Sequence, residues 1–539
     1  MKSKFLTLFI VGLLSITNVE AVVRYYFYVQ LANKNNTPYS LSTPSEYLSA
    51  RAITRRANFN IAIDSTDLPV NQTYVSQIAN VGATIHCRSK WMNGVTVLIS
   101  DSTKMSQVRA LPYVKWAKYT GKIDVAQPSK PRKSKYESQV YNYGTAATQL
   151  NQVNASYLHN LGYTGRNIHV AVLDAGFTNV NTNRGFDSLR LQGRLLGTKD
   201  FSEPTANIYN SDSHGANVLA IMTGNIANQY LGAAPHASFW LIRTEYGPSE
   251  YESETDFWTA GIEFADSVGA DVANSSLGYT TFDDPSMNYT YSNMNGTHSR
   301  ASRAAALAAQ KGIIVCNSAG NEGDKTWRYI GVPADADGIV TVGAATSAGA
   351  PSTFTSYGPA SDGRQKPDLS AMGTATAYVN TAGVLASGNG TSYSSPVMAG
   401  MFACFLQYAK VNFTTFNIQS LIQSAKQSAN LYSSPTYRLG YGIPNFQTAC
   451  AYLPANVQVL NQPDNDVHLF RNASSNTLIV NYITDEPCTL SLNSLSGILV
   501  YKDNLSNNQA TIFTTGFASG IYILRVSSKS KISTLKILL

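Results

Sequence analysis

From about Tyr141 to Cys450 the chain repeats one pattern, a short and almost uninterrupted apolar run followed by a stretch with helical spacing. The runs are Asn167 to Leu173, Ser238 to Ile242, Asp271 to Asn274, Gly312 to Cys316 and Ile339 to Val342. Between them, Ala216 to Thr223, Phe257 to Val268 and Arg300 to Gln310 carry apolar residues at helical intervals. A strand that is apolar on both faces has to be covered on both, and parallel strands need crossovers long enough to be helices. The expected class is therefore α/β, a parallel sheet with helices on both faces. Sheets of this kind hold their functional residues in loops at the carboxyl ends of the strands.

Four residues stand where such loops are expected. In Gly390 to Lys410 (GTSYSSPVMAGMFACFLQYAK), small residues lead through Pro396 into an apolar run with Met398, Met401, Phe402 and Phe405 at helical spacing. Proline near a first turn needs no intrahelical donor, so Ser392 falls at or just before a helix N-terminus. Unpaired amides and the positive end of the helix dipole favour negative charge beside its hydroxyl there. A serine so placed is ordinarily a cap, and becomes a nucleophile only where a base can reach it. Asp174 ends the run Val172, Leu173, and Gly176 lets the chain turn sharply beside it. His214 lies in SDSHGANVLAIMTG, where Asp212 or Ser213 can cap a helix beginning at the histidine and Gly215 permits a second backbone to approach. His86, His169 and His236 adjoin apolar stretches and read as structural. Asn321, in NSAGNEG, follows the run ending Val315, Cys316 and can offer its amide to a reacting oxygen.

Acid, base, amide donor and nucleophile stand in the chain order Asp, His, Asn, Ser, and here the sequence resembles the subtilisin-like serine peptidases, or subtilases. The likeness rests on DAG at Asp174, HGANV at His214, DVANSSLG from Asp271 to Gly278, NSAGNEG around Asn321, TSYGPASDGRQKPDLSAMG from Thr355 to Gly373, and GTSYSSP from Gly390 to Pro396. It implies Ser392 as nucleophile, His214 as base, Asp174 as orienting carboxylate, and an oxyanion hole from Asn321 and the Ser392 amide. It further implies that Ser276, Leu277, Gly278, Ala319 and Gly320 pair with an extended substrate and wall its main side-chain pocket. Two positions depart from the family pattern. Ala175 stands where subtilases carry Ser or Thr, and Asn217 where they carry a second His.

At 539 residues the chain is too long for one core. Lys2 and Lys4 before the apolar run Phe5 to Ile16, with small residues up to Ala21, read as an export signal at 1–21. Residues 22–120 read as a small α+β unit. Its strand candidates are Arg24 to Leu31, Gly94 to Ile99 and Tyr113 to Tyr119, and its helix candidates Pro44 to Ala57 and Asp101 to Leu111. Residues 121–140 lose periodicity and carry Lys130, Arg132, Lys133 and Lys135, as an exposed, cleavable linker does. The net charge is +7, but Val22 to Val140 alone holds 16 Lys/Arg against 6 Asp/Glu. The excess therefore lies outside the main domain, which loses any basic face for nucleic acid. The resemblance makes 22–120 the inhibitory prosegment of the peptidase domain at 141–452, held to it partly by charge. After a linker at 453–466, residues 467–539 alternate strands with SG, DN and NN turns, as a small β-sandwich does. FASGIYILRVSS and the ending KISTLKILL are similar to the sorting domain that sends Bacteroidetes proteins through the type IX secretion machinery.

The expected product is a secreted, extracellular or surface-attached endopeptidase, a monomer made as a self-inhibited proenzyme and acting on proteins or peptides. No cofactor is required by this chemistry and no metal ligands are assigned, although the insertion Tyr279 to Arg300 offers oxygen donors for calcium. The chain has no HExxH, against a metallopeptidase, and its Ser follows its His, against the esterase order. A relative kept only for binding would be expected to lack a member of the triad. Five scattered cysteines make no framework, and only Cys404 with Cys450 suggests a bridge.

Overall fold

The computed structural model describes residues 23–123, residues 142–453 apart from 205, 206, 414 and 415, and most of 458–538. The export signal and nearly all of the linker expected at 121–140 lie outside these residues.

The N-terminal unit is a four-stranded antiparallel sheet of β1 (Arg24–Leu31), β2 (Thr84–Ser89), β3 (Gly94–Ile99) and β4 (Val114–Ile123), in the order β2-β3-β1-β4. It carries the helices α1 (Ala50–Asn58), α2 (Gln72–Asn80) and α3 (Met105–Arg109). The helix expected from Pro44 begins later, because Pro44–Glu46 form a separate turn and the Ser49 hydroxyl caps α1 by accepting from the Ala52 amide at 3.2 Å. The helix expected over Asp101 to Leu111 shrinks to α3 for a similar reason, Asp101 capping a short turn before it. The short elements α2 and β2 carry too few inward residues for a period to show, Val75 and Ile78 in one and Cys87 and Ser89 in the other. Strand β4 runs through Gly121 to Ile123, three residues into the expected linker. One face of this sheet, with Phe27, Val29 and Leu31, covers its own core, while Tyr26, Cys87 and Leu98 on the other pack against Phe257 and Ala260 of the next domain. That is why β1 reads as apolar throughout although its sheet is antiparallel.

The central region is built on seven parallel strands: β5 (His169–Asp174), β6 (Leu195–Asp200), β7 (Ser238–Arg243), β8 (Val272–Ser275), β9 (Ile314–Ser318), β10 (Val340–Ala345) and β11 (Leu369–Met372). Their order is β11-β10-β9-β8-β5-β7-β6. The unforeseen β6 is an edge strand with a polar sequence, of which only Asp200 is fully buried. Helices α4 (His214–Thr223), α5 (Ser253–Val268), α6 (Arg300–Gln310) and α7 (Thr391–Asn412) cover the sheet. Helices α4 and α7 share the core on one face with Val170, Val172, Phe239 and Leu241, and α5 and α6 that on the other with Ala171, Leu173 and Val315. The alternation along β5 thus feeds two cores, as the unbroken apolar run requires. Helix α7 is apolar all round because it runs through the domain, with Phe402, Phe405 and Met398 fully buried. Among the described residues no helix is long and apolar enough to cross a membrane.

Beyond 457 two four-stranded antiparallel sheets close over Leu478, Val480, Leu490, Leu492, Ile512, Leu524 and Val526, a small sandwich. All five cysteines are buried and unbridged, so Cys404 and Cys450 are small core residues instead of a pair.

Candidate active site

Asp174 is the last residue of β5 and is fully buried. Its carbonyl accepts from the Thr244 amide at 3.0 Å, and the Ala175 carbonyl accepts from Arg243 Nε at 2.9 Å, so the end of β7 holds this turn in place. The carboxylate accepts the Ala175 amide on Oδ1 at 2.8 Å, whereas Oδ2 is buried without a partner. The alanine at 175, a departure from the family pattern, has no hydroxyl to offer it.

His214 opens α4, and Asp212 supplies the cap by accepting the His214 amide at 2.6 Å. The imidazole Nδ1 lies 2.7 Å from Asp174 Oδ1. Gly215 makes this approach possible. A Cβ there would stand 2.4 Å from the Gly176 carbonyl oxygen and 2.8 Å from the Asp174 Cβ. Burial pushes His214 down, but the Asp174 carboxylate, aided by Glu245 and Asp212, outweighs it and holds the imidazole up at about 9. The histidines read as structural are so placed: His86 Nε2 bonds the Phe201 carbonyl at 2.7 Å, His236 Nδ1 bonds the Thr164 hydroxyl at 2.9 Å, and His169 sits in β5.

Ser392 is the second residue of α7, so its amide has no acceptor within the helix. Pro396, which cannot donate, leaves the Ser392 carbonyl without its helical partner, and the Ser276 hydroxyl donates to that carbonyl at 3.0 Å instead. In turn the Ser392 hydroxyl donates to the Ser276 carbonyl at 3.3 Å. The end of β8 and the start of α7 are thereby clasped. Asn321 accepts the Thr391 amide at 2.8 Å and the Thr391 hydroxyl at 3.0 Å on its Oδ1, which leaves its NH2 as a donor beside Ser392.

His214, Ser392 and Asn321 line one cleft of about 390 Å³, walled by Ser276, Leu277, Gly278 and Gly320. One expected residue does not belong to that wall. The Ala319 side chain is fully buried against Ile330, Ala334 and Ala360, and Ser318 lines the cleft in its stead. One residue past β9, Ala319 still donates its amide to the Val342 carbonyl at 2.9 Å, and its methyl turns inward. The sequence reading missed Glu245, Glu250 and Glu254, which also line the cleft. They carry no motif, and only the fold brings a loop after β7 and the first turn of α5 to the same place. The insertion from Tyr279 is pinned by apolar side chains, Phe282, Met287, Tyr289 and Met294. Among the described residues no group of three or more His, Cys, Asp or Glu could hold a metal ion.

The N-terminal sheet grips α5 through polar contacts as well. Glu263 accepts the Ser89 hydroxyl at 2.6 Å and the Lys90 and Trp91 amides at 2.7 and 3.1 Å. Asp266 meets Arg55, Arg56 and Lys90, at 2.5, 3.0 and 3.0 Å. In the opposite sense, Lys311 reaches Asp64 and Asp67 at 3.0 and 2.9 Å.

Comparison with known proteins agrees with this geometry. Residues 165–442 match the Subtilase family, Peptidase_S8; residues 26–139 match the Peptidase S8 propeptide domain, Bacteroidota; and residues 468–539 match a secretion system C-terminal sorting domain. The chain is 29% identical over 307 residues to subtilisin from Bacillus pumilus, covering 56% of this chain and 97% of that one. It is likewise 29% identical to subtilisin E of Bacillus subtilis (strain 168), covering 70% of that protein, and 26% identical over 314 residues to the alkaline elastase YaB of Bacillus sp. (strain YaB), covering 58% of this chain and 72% of that one. The chain belongs to the subtilase family of serine endopeptidases and is made as a proenzyme, with a Bacteroidota-type propeptide before the peptidase domain and a sorting domain for export after it.

Proposed function

We propose that the chain cleaves proteins through a Ser392, His214, Asp174 triad outside the cell. The Ser392 hydroxyl attacks the scissile carbonyl, His214 takes its proton and returns it to the leaving amine, and Asp174 fixes the ring and stabilises the imidazolium. The Asn321 NH2 and the Ser392 amide meet the oxyanion, and the acyl-enzyme is then released by water. Substrate backbone pairs along Ser276, Leu277, Gly278 and Gly320. The observation that carries this reading is the 2.7 Å contact of His214 with Asp174 in the cleft that Ser392 and Asn321 also line.

Residues 22–120 act as the inhibitor of this site until the linker at 121–140 is cut. The sandwich after the linker at 453–466 is read by the type IX machinery. The mature peptidase, 141–452, works as a monomer and needs no cofactor for the chemistry itself. Labelling of the secreted protein with a fluorophosphonate, with Ser392→Ala as control and mass spectrometry of the mature ends, tests the whole. Labelling that depends on Ser392, in protein that has lost the prosegment, is expected. Correctly matured protein that takes no label would sink the catalytic role.

A further inference from the structure

We propose that Glu245, Glu250 and Glu254 form a subsite for a Lys or Arg side chain of the substrate, within a few residues of the scissile bond. This deepens the peptidase reading and rests on it. The three carboxyl groups line the cleft that Ser392, His214 and Asn321 line. Glu254, in the first turn of α5, is only 2% exposed, and its Oε1 accepts the Tyr246 amide at 2.9 Å. Its Oε2 is buried with no partner.

Among the described residues no Lys or Arg is paired with these three groups, and the one cation that faces them, His214, is already bound to Asp174. The nearby ones are committed elsewhere: Lys118 and Arg300 face Glu252, and Arg243 faces Asp200 and Glu203. What else faces the cluster is acidic or neutral. Asp283, from the segment after β8, accepts the Glu250 amide at 3.2 Å, Asp174 adds its charge, Asp212 and Glu322 line the same cleft, and the Tyr279 phenol is buried beside the cluster. Burial, with Glu250 and Asp174 adding repulsion, pushes Glu245 up to about 8, and burial with Asp283 pushes Glu250 up to about 7. Burial and its two neighbours raise Glu254 as well. Carboxyl groups withdrawn from water without a counter-charge are costly to ionise, and a guanidinium or ammonium entering the cleft supplies that charge with hydrogen bonds. A bound metal is a poorer fit, since no described group of three or more His, Cys, Asp or Glu could hold one. The chain itself contains a stretch of the matching kind, with Lys130, Arg132, Lys133 and Lys135 between prosegment and peptidase.

Fluorogenic peptides that differ by Arg, Lys, Gln or norleucine at each position around the cut provide the test, assayed on the matured full chain at pH 6 and pH 9. Fluorophosphonate labelling counts the active sites. At one position kcat/KM for the basic residue should exceed that for the neutral one by about tenfold, and the ratio should grow between pH 6 and pH 9 as the glutamates ionise. The His214 titration cancels in the ratio. Glu254→Gln and Glu245→Gln should each bring the ratio down several-fold toward one. If Glu254→Gln does not accumulate, Glu250→Gln, at a half-buried position, carries the same expectation. Enzyme whose active sites titrate fully in a separate labelled sample but whose ratio is near one at every position, or whose ratio survives the Gln variants, overturns the subsite. An unlabelled protein that cuts none of the peptides overturns the peptidase reading, and the subsite with it.

Discussion

The Asp174–His214 contact decides when this site can work. An imidazole held up at about 9 keeps its proton at neutral pH, and in the proposed mechanism only its neutral form accepts one from Ser392. Peptide hydrolysis at saturating substrate should therefore rise with pH, pass its half-maximum near 9 and level off above it. Asp174→Asn removes the main support, so the acid limb should move below the ordinary histidine value while the rate falls by about 10⁴. The same raised value makes the pair stabilising below about pH 6.5, an effect lost as pH climbs through 9. Ala175→Ser places a hydroxyl next to the unpartnered Asp174 Oδ2, and by sharing that charge should shift the limb to lower pH. Asn321→Ala should slow turnover by about 10² to 10³ with little change in KM, a magnitude taken from subtilisin, a relative of this chain. These chemical groups were legible in the sequence because each stands in a short motif. Their environment was only partly so: Asp212 was legible as the local cap, whereas Glu245 reaches His214 only once the chain is folded.

Among the elements, the clasp between β8 and α7 is the joint that sets Ser392, the proposed nucleophile. Pro396 frees the Ser392 carbonyl and Ser276 takes it at 3.0 Å, so the two positions are energetically one unit. Ser276→Ala leaves a carbonyl unmet and should lower stability by about 1–3 kcal/mol in thermal or denaturant unfolding. In a Pro396→Ala background the helix supplies its own donor, and the same change should cost markedly less. A cycle whose two legs agree within error would show that the carbonyl was never dependent on Ser276. Helices α4, α6 and α7, α5 from Phe257 onward, and most core strands could be read from periodicity. The strands β2 and β6 could not, because an edge or a sheet face shared with another domain removes the apolar alternation that marks a strand.

On the scale of the whole molecule, prosegment and peptidase form a continuous interior across α5. Asp266 is fully buried among Arg55, Arg56 and Lys90. Asp266→Asn leaves those cations without their shared charge and should destabilise the proenzyme by about 3–5 kcal/mol. Read as the melting temperature of Ser392→Ala protein with the prosegment in place, the loss should disappear once the prosegment is gone, since α5 then faces water. An equal loss in both forms would mean that Asp266 serves the peptidase fold alone. The local charge excess on Val22 to Val140 foretold attraction between the parts, but not that Lys311 would send one contact the other way.

The amino-acid sequence alone determined the parallel sheet and the identities of Asp174, His214, Asn321 and Ser392. Their spacing and flanking glycines are local properties of the chain, and a two-sided apolar run admits few architectures. Only the tertiary structure decided that Ala319 turns into the interior, that Ser276 completes the helix Pro396 interrupts, and that three glutamates from a loop and a helix share the cleft with Ser392. Those outcomes depend on which strand ends lie side by side in the order β11-β10-β9-β8-β5-β7-β6. Contacts between residues a hundred positions apart leave no period in the sequence, because they are set by packing between elements and not within them.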